Sequence, residues 1–411
     1  MVPVNSISRP KPILEQIEFA CLMTALLFST FTAFRHPAVL FTASDMFLTI
    51  AVILRCNRSL PLFPLQSASS IWFIGMLMMV AGLSIGSIAH GDPVSAFVVI
   101  VQYFFSFVLL PLAILGRPYE EAVTLAKVGV ISIALNCLVG MIAYGVGYSG
   151  GEARYFMLVS GNYRVAGLVD NPNGLAGLIV LWFPVLWYLG LTGALRKLPF
   201  LALFGLLAIT LIYASSNSSL AGAVICGALF LLLVGNQRVL MIWGTAVTTM
   251  AWISIQWAEF IFPPTFRNRV LSPLLEGDLS HAGTFEDRAD LMIEAWRFLP
   301  DYFLVGMGAG QYRELSSQGI PVHNLYLLLA NEGGILALLG LCFVLGSAIV
   351  YAVMARHNVP NRVYGRATVV TVTLTFAALS MNYTHVYQRG MLIPWIVALG
   401  LLAASDRYRR R

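Results

Sequence analysis

Long apolar windows recur along the whole chain, most of them about 17 to 25 residues long and bounded by charged or turn-forming residues. They lie at 17–34, 38–54, 70–89, 95–115, 122–146, 174–192, 198–213, 219–235, 239–260, 324–354, 367–384 and 390–404. With 58% hydrophobic and only 11% charged residues, and a mean hydropathy of +0.80, the chain has more apolar surface than a water-soluble core can bury. The sequence therefore predicts an all-α polytopic membrane protein with about twelve transmembrane helices.

The distribution of Lys and Arg predicts the orientation of these spans, because cytoplasmic loops retain positive charge. Of the 25 basic residues, sixteen lie on the side that carries both termini and nine on the other side, so both termini are expected in the cytoplasm. The first span follows Arg9 and Lys11 without a small-residue cleavage site, which indicates an anchor and not a removed signal peptide. The five cysteines form no CxxC pair, and no disulfide framework is predicted.

Two loops on the outer side are much longer than the others, at about 147–173 and 261–322. They divide the chain into helices one to nine at 1–260, a loop domain at 261–322, and helices ten to twelve at 323–411. Long loops with structure of their own often carry function. The functional site is therefore predicted where these outer loops meet the membrane surface.

The second outer loop contains a helical pattern with a cation on its apolar face. TFED at 284–287 has the form of a capping box and predicts a helix over about 285–298, which ends near Pro300. At 100° per residue, the apolar residues on the same face as Arg288 are Leu291, Ala295, Leu299, Met292, Phe285 and Trp296. A cation directed into packed surface needs an anionic partner. Arg288 is therefore a snorkelling or ion-paired residue, or a contact to a bound anion, which is the interpretation we favour.

A glycine run at 306–310 follows this helix and is interpreted as a turn, because no strand precedes it. Pro321 suits the first turn of a helix, so His323 is expected on the first turn of the tenth span. A histidine at a helix mouth is either a polar cap or, with its ordinary pKa near 6.5, a proton acceptor at neutral pH. Glu332 lies roughly 13.5 Å further along the axis on the opposite side, so it cannot orient His323 and is assigned a structural or coupling role.

The first outer loop ends in GNYRVAGLVDNPNG at 161–174, directly before the sixth span. Arg164 and the Asn-Pro-Asn turn are expected together at the membrane surface, with Asn171 or Asn173 capping the following helix. All nine outer basic residues are arginines, Arg389 among them, and a guanidinium can bind phosphate oxygens in bidentate fashion. Because the chain has only three lysines, this bias also follows from composition alone.

One outer stretch could in principle hold a metal ion, because Glu276 and Asp278 lie close to His281. The stretch has no periodicity, so it is interpreted as an acidic turn and no metal site is predicted.

Three segments together resemble the O-antigen ligase family and its relatives, the O-antigen polymerases. They are RVAGLVDNPNGLAG at 164–177, the arginine-bearing loop helix with Trp296, Pro300 and the glycine run, and HNLYLLLANEGG at 323–334. The similarity covers roughly residues 150–340, and the twelve-span layout agrees over the whole chain. The resemblance rests on the order, spacing and shared outer location of the segments, since none of them is specific alone.

The resemblance implies a GT-C-like glycosyltransferase of the bacterial inner membrane with a periplasmic active site. Such an enzyme transfers a glycan from undecaprenyl diphosphate to lipid A-core oligosaccharide and completes lipopolysaccharide, with inversion if the displacement is a single step. No nucleotide sugar, metal or other cofactor is expected. The implied partners are the lipid-linked donor, the lipid A-core acceptor and membrane lipid, and no nucleic acid.

The family's essential histidine is followed by Asn, Ser or Gln and then, after nine further residues, by a glycine, a pattern that His323, Asn324 and Gly334 match. A second glycine usually stands three residues on, where this chain has the small Ala337. Many relatives also carry Ser-Arg at the start of the eighth span. This chain has Asn217 in place of that arginine, so the resemblance does not support a phosphate contact there.

The resemblance and the residue chemistry together imply a general base, a cationic clamp for the leaving diphosphate, and polar contacts to the substrates. The residues implied are His323 as base, Arg288 and Arg164 as the clamp, Arg389 as a third cation, and Asn324 and Asn173 as substrate contacts.

Two alternatives remain open at this point. An O-antigen polymerase uses the same chemistry on a different acceptor, and the sequence does not separate it from a ligase. A transporter or flippase predicts charges buried in the membrane beside paired broken helices. Most charges here lie at the surface, with Glu332 as the main exception.

Overall fold

The computed structural model describes residues 12–33, 35–36, 41–57, 63–148, 157–235, 241, 245, 249, 252, 256–277, 285–355, 360–382 and 389–407. Regular structure within these residues is almost entirely helical. The two short strands, Arg35–His36 and Phe41–Thr42, pair antiparallel in the loop between the first two helices. The predicted all-α class is therefore confirmed.

The helices follow one another in chain order. They are α1 Ile13–Leu27, α2 Ala43–Cys56, α3 Ala68–Ala89, α4 Pro93–Phe104, the π-helix Phe105–Leu109, α5 Leu110–Ile114, α6 Tyr119–Gly145, α7 Pro172–Leu191, α8 Lys197–Ala214, α9 Asn217–Val234, α10 Ala258–Ile261, α11 Pro264–Phe266, the π-helix Arg267–Leu271, α12 Ser272–Glu276, α13 Phe285–Tyr302, α14 Gln311–Leu315, α15 Leu325–Glu332, α16 Gly334–Met354, α17 Pro360–Leu379 and α18 Arg389–Arg407. A 3-10 turn, Gly167–Val169, precedes α7.

Seven helical segments of the described residues are long and apolar enough to cross a membrane. They are Ala68–Ala89, Ala96–Ile114, Tyr119–Gly145, Pro172–Leu191, Lys197–Ala214, Asn217–Val234 and Gly334–Met354. Helices α1, α2, α17 and α18 lie at four more of the predicted spans but are shorter or more polar. The span predicted at 239–260 lies largely outside the described residues. A polytopic membrane protein is thus confirmed, and the number twelve stays a prediction.

Helices α7 and α18 form the centre of the bundle. Most of α7 is buried, and it packs against α6, α8, α9, α17 and α18. Trp395 of α18 lies 5.2 Å from the ring of Trp72 and 5.5 Å from that of Phe376, and its indole N–H donates to the Thr373 hydroxyl at 2.8 Å. The polar atom of this large buried side chain is therefore satisfied within the apolar core.

Glycines allow α3 and α16 to approach each other closely. A Cβ at Gly75 would lie 2.6 Å from the Gly340 oxygen, and a Cβ at Gly340 would lie 2.5 Å from the Gly75 oxygen. Nearer the other end of α3, a Cβ at Gly82 would lie 2.4 Å from the Gly333 oxygen. Small residues let backbones meet in this way, so the close contact predicted beside Gly333 is confirmed.

The predicted continuous helix at 324–354 is wrong, because the chain breaks between α15 and α16. Gly334 has φ +65°, a left-handed conformation that glycine adopts without steric penalty. A Cβ there would also lie 2.8 Å from the Leu304 oxygen, and the Ile335 N–H donates to the Phe303 oxygen at 2.6 Å. The segment that follows α13 thus occupies the space that a straight helix would need.

The glycine contact between α3 and α16 predicts a sharp difference between two alanine substitutions in one helix. Gly340→Ala is expected to lower the free energy of unfolding by about 1–3 kcal/mol, because the new methyl group overlaps backbone atoms of α3. Gly346→Ala is the matched control, since a Cβ there meets no atom within 4 Å. Thermal unfolding of the purified variants in detergent measures both. Equal melting temperatures for the two variants would contradict the proposed helix contact.

Candidate functional site

Helix α13 of the second outer loop packs onto α15 through an apolar cluster. The buried members of this cluster are Leu291, Ala295, Met307, Tyr312, Val322, Leu327 and Leu328. The Asn331 amide N–H donates to the Ala295 oxygen at 3.1 Å and so ties the two helices together. The loop is therefore anchored on the short helix that follows His323 and does not lie free above the bundle.

The helix predicted over about 285–298 is described from Phe285 onward, since residue 284 lies outside the described residues. It continues to Tyr302, so the predicted end near Pro300 is wrong. Proline removes only the bond that its own N–H would make to the exposed Trp296, and the Phe303 N–H still donates to the Leu299 oxygen at 2.9 Å. The predicted capping box at 284–287 is not tested. Residue 284 lies outside the described residues, and the side chains of 285–287 are not described.

Arg288 lies in register with the buried stripe of α13. Leu291 and Ala295, three and seven residues further on, are both buried against the cluster, as the wheel predicts. Trp296, which the wheel placed on the same face, is 62% exposed, so that assignment is wrong. It lies at the edge of the stripe, where the packing against α15 ends.

The glycine run at 306–310 is a turn, as predicted, and it binds the end of α15. Gly306, Gly308 and Gly310 have φ of +87°, +103° and +79°. The Met307 N–H donates to the Asn331 oxygen at 2.7 Å, and the Gly308 N–H donates to the Glu332 oxygen at 2.9 Å. Carbonyls that the helix end leaves open are thereby satisfied.

Glu332 is buried beneath the same turn. Its carboxylate accepts hydrogen bonds from the backbone N–H groups of Gly310 and Tyr312. The His90 ring Nδ1 lies 2.8 Å from the Gly306 oxygen and connects the turn to the end of α3. Because a carbonyl oxygen can only accept, this His90 nitrogen carries the proton.

His323 lies directly before α15 and not on its first turn, which corrects the expectation from Pro321. The Asn324 side-chain oxygen accepts from the N–H groups of Tyr326 and Leu327 at 3.0 and 3.1 Å, so Asn324 is the N-cap and the helix begins one residue later. The Leu325 N–H donates to the Ser380 oxygen at 2.8 Å, which fixes the start of α15 against the end of α17.

The positive charge of Arg288 acts on the titration of His323. Partial burial lowers the pKa of His323 below its ordinary value of 6.5, and the positive charge of Arg288 lowers it further. Both causes disfavour the protonated ring. His323 is therefore neutral at pH 7, and a ring nitrogen can accept a proton.

A further cation, Arg269, belongs to this cluster, and the sequence reasoning missed it. Burial lowers the pKa of Arg269, and the charge of Arg288 lowers it further. Among the residues that the structure describes, the Nε atoms of Arg267, Arg269 and Arg288 are buried without a hydrogen-bond partner. The signal in the sequence was the run Arg-Asn-Arg at 267–269, but its periodicity gave no reason to place it beside α13.

Arg164 and Asn173 form a second group. Arg164 is 7% exposed, its Nε donates to the Ala214 oxygen at 2.8 Å, and its Nη2 donates to the Asn173 side-chain oxygen at 2.6 Å. Asn171 caps α7 by accepting from the Gly174 N–H at 3.0 Å, as predicted for one of the two asparagines. Arg164 thus joins the first outer loop to the end of α8 and the start of α7.

The remaining predicted site residues are only partly described. Arg389 begins α18, but its side chain lies outside the described residues. Glu276 ends α12 with an exposed side chain, while Asp278 and His281 lie outside the described residues. Within the described ranges, no group of three or more His, Cys, Asp or Glu residues could hold a metal ion.

The fold and this cluster define a polytopic membrane protein with a histidine and desolvated arginines at one end of its bundle. Comparison with protein families gives a match between residues 202–342 and the model of the O-antigen ligase family, about a third of the chain. The matched segment contains Arg269, Arg288 and His323, whereas Arg164 and Arg389 lie outside it. No curated protein matches the chain.

The family match confirms the resemblance over this segment and supports a function of the O-antigen ligase or polymerase type. In general terms, such a function is a glycosyltransferase-like activity.

The coupling between His323 and Arg288 predicts a pH titration. Arg288→Ala is expected to raise the pKa of His323, because the charge that disfavours the protonated ring is lost, while burial keeps the pKa below 6.5. NMR of ring-labelled histidine, with His323→Ala to assign the signal, measures both values. Arg297→Ala, an exposed arginine on the same helix, is the control and should leave the pKa unchanged. An unchanged pKa in Arg288→Ala would show that the two side chains are not coupled.

Proposed function

We propose that this protein is an O-antigen ligase of the bacterial inner membrane. It transfers a glycan from undecaprenyl diphosphate to lipid A-core on the periplasmic face, with inversion and without a metal ion. The observation that carries the proposal is a neutral His323 that responds to the charge of Arg288, whose Nε is buried, with both residues in the segment that matches the family. A base and a cation for a phosphate leaving group are what this transfer requires.

The reaction is a single displacement. His323 accepts the proton of an acceptor hydroxyl on lipid A-core as its oxygen attacks the anomeric carbon of the donor. The bond between that carbon and the diphosphate oxygen breaks, and undecaprenyl diphosphate leaves with the electron pair. Arg288 stabilises the negative charge that develops on the leaving oxygen. Attack opposite the leaving group inverts the configuration.

The charge of Arg288 also links substrate binding to the basicity of His323. In the free protein, Arg288 disfavours the protonated ring, so the histidine is already deprotonated when the donor arrives. A bound diphosphate compensates the arginine charge and thereby raises the proton affinity of His323. The histidine therefore becomes a stronger base when the leaving group is in place.

The other predicted residues take supporting roles in this proposal. Arg164 uses its Nε and Nη2 within the protein, so it contributes by holding the first outer loop and Asn173 at the border of the site. The oxygen of Asn324 caps α15, and its amide nitrogen remains outside the cap as a contact for the glycan. Arg389, at the start of α18, is retained as a third cation.

One observation favours the transporter alternative, but the buried charge that a transporter would use is already bound within the protein. The break at Gly333-Gly334 lies beside Glu332, as a broken helix with an intramembrane charge would. The Glu332 carboxylate, however, is bound by the backbone of the glycine run. Because it already fastens the loop to α15, we assign it a structural role.

Transfer of glycan by purified protein tests the proposal. Wild-type protein in detergent, with lipid-linked glycan, lipid A-core and EDTA, is expected to shift the core glycolipid on a gel. His323→Ala should lower the rate by about 10²–10⁴-fold through loss of the general base. Arg288→Ala should lower it by about 10²–10³-fold through loss of charge stabilisation. Arg297→Ala, on the exposed face of the same helix, should remain close to wild type.

Three other results of the transfer assay would each contradict a different part of the proposal. Lengthening of the donor glycan without transfer to lipid A-core would identify a polymerase. Loss of transfer in EDTA that Mg²⁺ restores would overturn the metal-independent mechanism. Full activity of His323→Ala would remove that residue from the role of base.

A further inference from the structure

The second π-helix, Arg267–Leu271, connects the two long loops and the start of α9. Just before it, the Thr265 hydroxyl donates to the Asn162 oxygen of the first outer loop at 3.3 Å. Phe266 is only 6% exposed, so the turn is packed against the protein at this point. The Asn217 amide N–H at the start of α9 donates to the Arg269 backbone oxygen at 3.1 Å. The backbone of Arg269 is therefore held by a side chain of the bundle.

Arg269 and Arg288 approach each other from different parts of the chain. Among the described residues, the Nε of each is buried without a hydrogen-bond partner, and the positive charge of Arg288 adds to burial in lowering the pKa of Arg269. Within the part of the chain that the structure describes, neither guanidinium forms a salt bridge with a carboxylate. Two desolvated like charges are unfavourable unless an anion is shared between them.

We propose that Arg269 is the second cation of a diphosphate-binding site whose first cation is Arg288, and that Asn217 is the positioning residue that holds the Arg269 backbone. The ligand class is a lipid-linked diphosphate. The assignment to the donor lipid rests on the ligase function proposed above, whereas binding of a diphosphate does not.

The chemistry of the ligand suits two separate arginines. A diphosphate presents oxygens on two phosphorus centres, and each planar guanidinium can bind one phosphate through parallel N–H groups. The widened turn of a π-helix, which is frequent at functional sites, carries Arg269 on a backbone segment that Asn217 fixes. Because the charge of Arg288 acts on His323, a diphosphate bound by Arg288 would also lie within the electrostatic reach of that histidine.

The position of Asn217 suggests an experiment in which the positive charge of Arg269 is moved to residue 217. Its side chain touches the Arg269 backbone, so an arginine at residue 217 would start from the same place and extend a guanidinium into the same region. Asn217→Arg should therefore replace a missing Arg269, at least in part, if the site needs a second cation and not that particular side chain. A residue with only a structural role would not be rescued in this way.

Binding of undecaprenyl diphosphate to the purified full-length protein in detergent, followed by microscale thermophoresis, tests the proposal. Undecaprenyl monophosphate serves as the second probe. Arg269→Ala is expected to weaken diphosphate binding by about 10–100-fold, as expected for loss of charge-assisted hydrogen bonds. The loss for monophosphate should be smaller, because one phosphate can stay on Arg288. Asn217→Ala should give an intermediate loss.

The double variant Asn217→Arg/Arg269→Ala should recover most of the lost diphosphate affinity. Arg269→Lys, which keeps the charge but lacks the planar fork, should lie between wild type and Arg269→Ala. Arg297→Ala is the matched control and should bind both lipids as wild type does. If Arg269→Ala does not fold, as judged by size-exclusion chromatography, Arg269→Lys and Asn217→Ala carry the test.

Unchanged diphosphate affinity in folded Arg269→Ala, or equal losses for the two lipids, would overturn the proposal. The transfer assay separates this result from the fate of the ligase function. Weakened and rescued binding without any glycan transfer would retain the diphosphate site and reject the ligase. Normal transfer and binding by Arg269→Ala would retain the ligase and reject Arg269 as its second cation.

Discussion

The site depends on one contact, between the glycine run at 306–310 and the break at Gly333-Gly334. Backbone N–H groups of the run bind the last carbonyls of α15 and the buried Glu332 carboxylate. Because glycine alone allows these close approaches without steric overlap, the loop enters the bundle beside α3 and α16. Helix α13 therefore packs on α15. In this position, Arg288 is close enough for its charge to lower the pKa of His323.

The electrostatics of the site follow from this seating. Packing of α13 and of the second π-helix buries the Nε atoms of their arginines, and burial of His323, together with the charge of Arg288, lowers the pKa of that histidine. A neutral base near cations that have no acidic partner among the described residues favours a reaction in which a proton is accepted and an anion leaves. Burial also strengthens the attraction between a cation and a diphosphate, because the local dielectric constant is lower than in water.

Several elements could be predicted because their cause is local. The apolar windows, the glycine turn and the asparagine cap of α7 each depend on a few neighbouring residues. The errors have non-local causes. Helix α13 passes Pro300 because that proline costs only a bond to Trp296 on the exposed side, and the tenth span breaks because the segment after α13 packs into it. Arg269 was missed since Asn217, which holds it, is about fifty residues away in the chain.

The sequence by itself determined the membrane environment, the helical class and the identities of Arg288 and His323 as polar residues in unusual surroundings, because hydropathy and helical periodicity are properties of short windows. Only the tertiary structure decided which cations come near one another, which asparagines serve as caps and where the long helix ends. Those outcomes depend on which backbones approach closely and which side chains lose water, and both are fixed by contacts between distant parts of the chain.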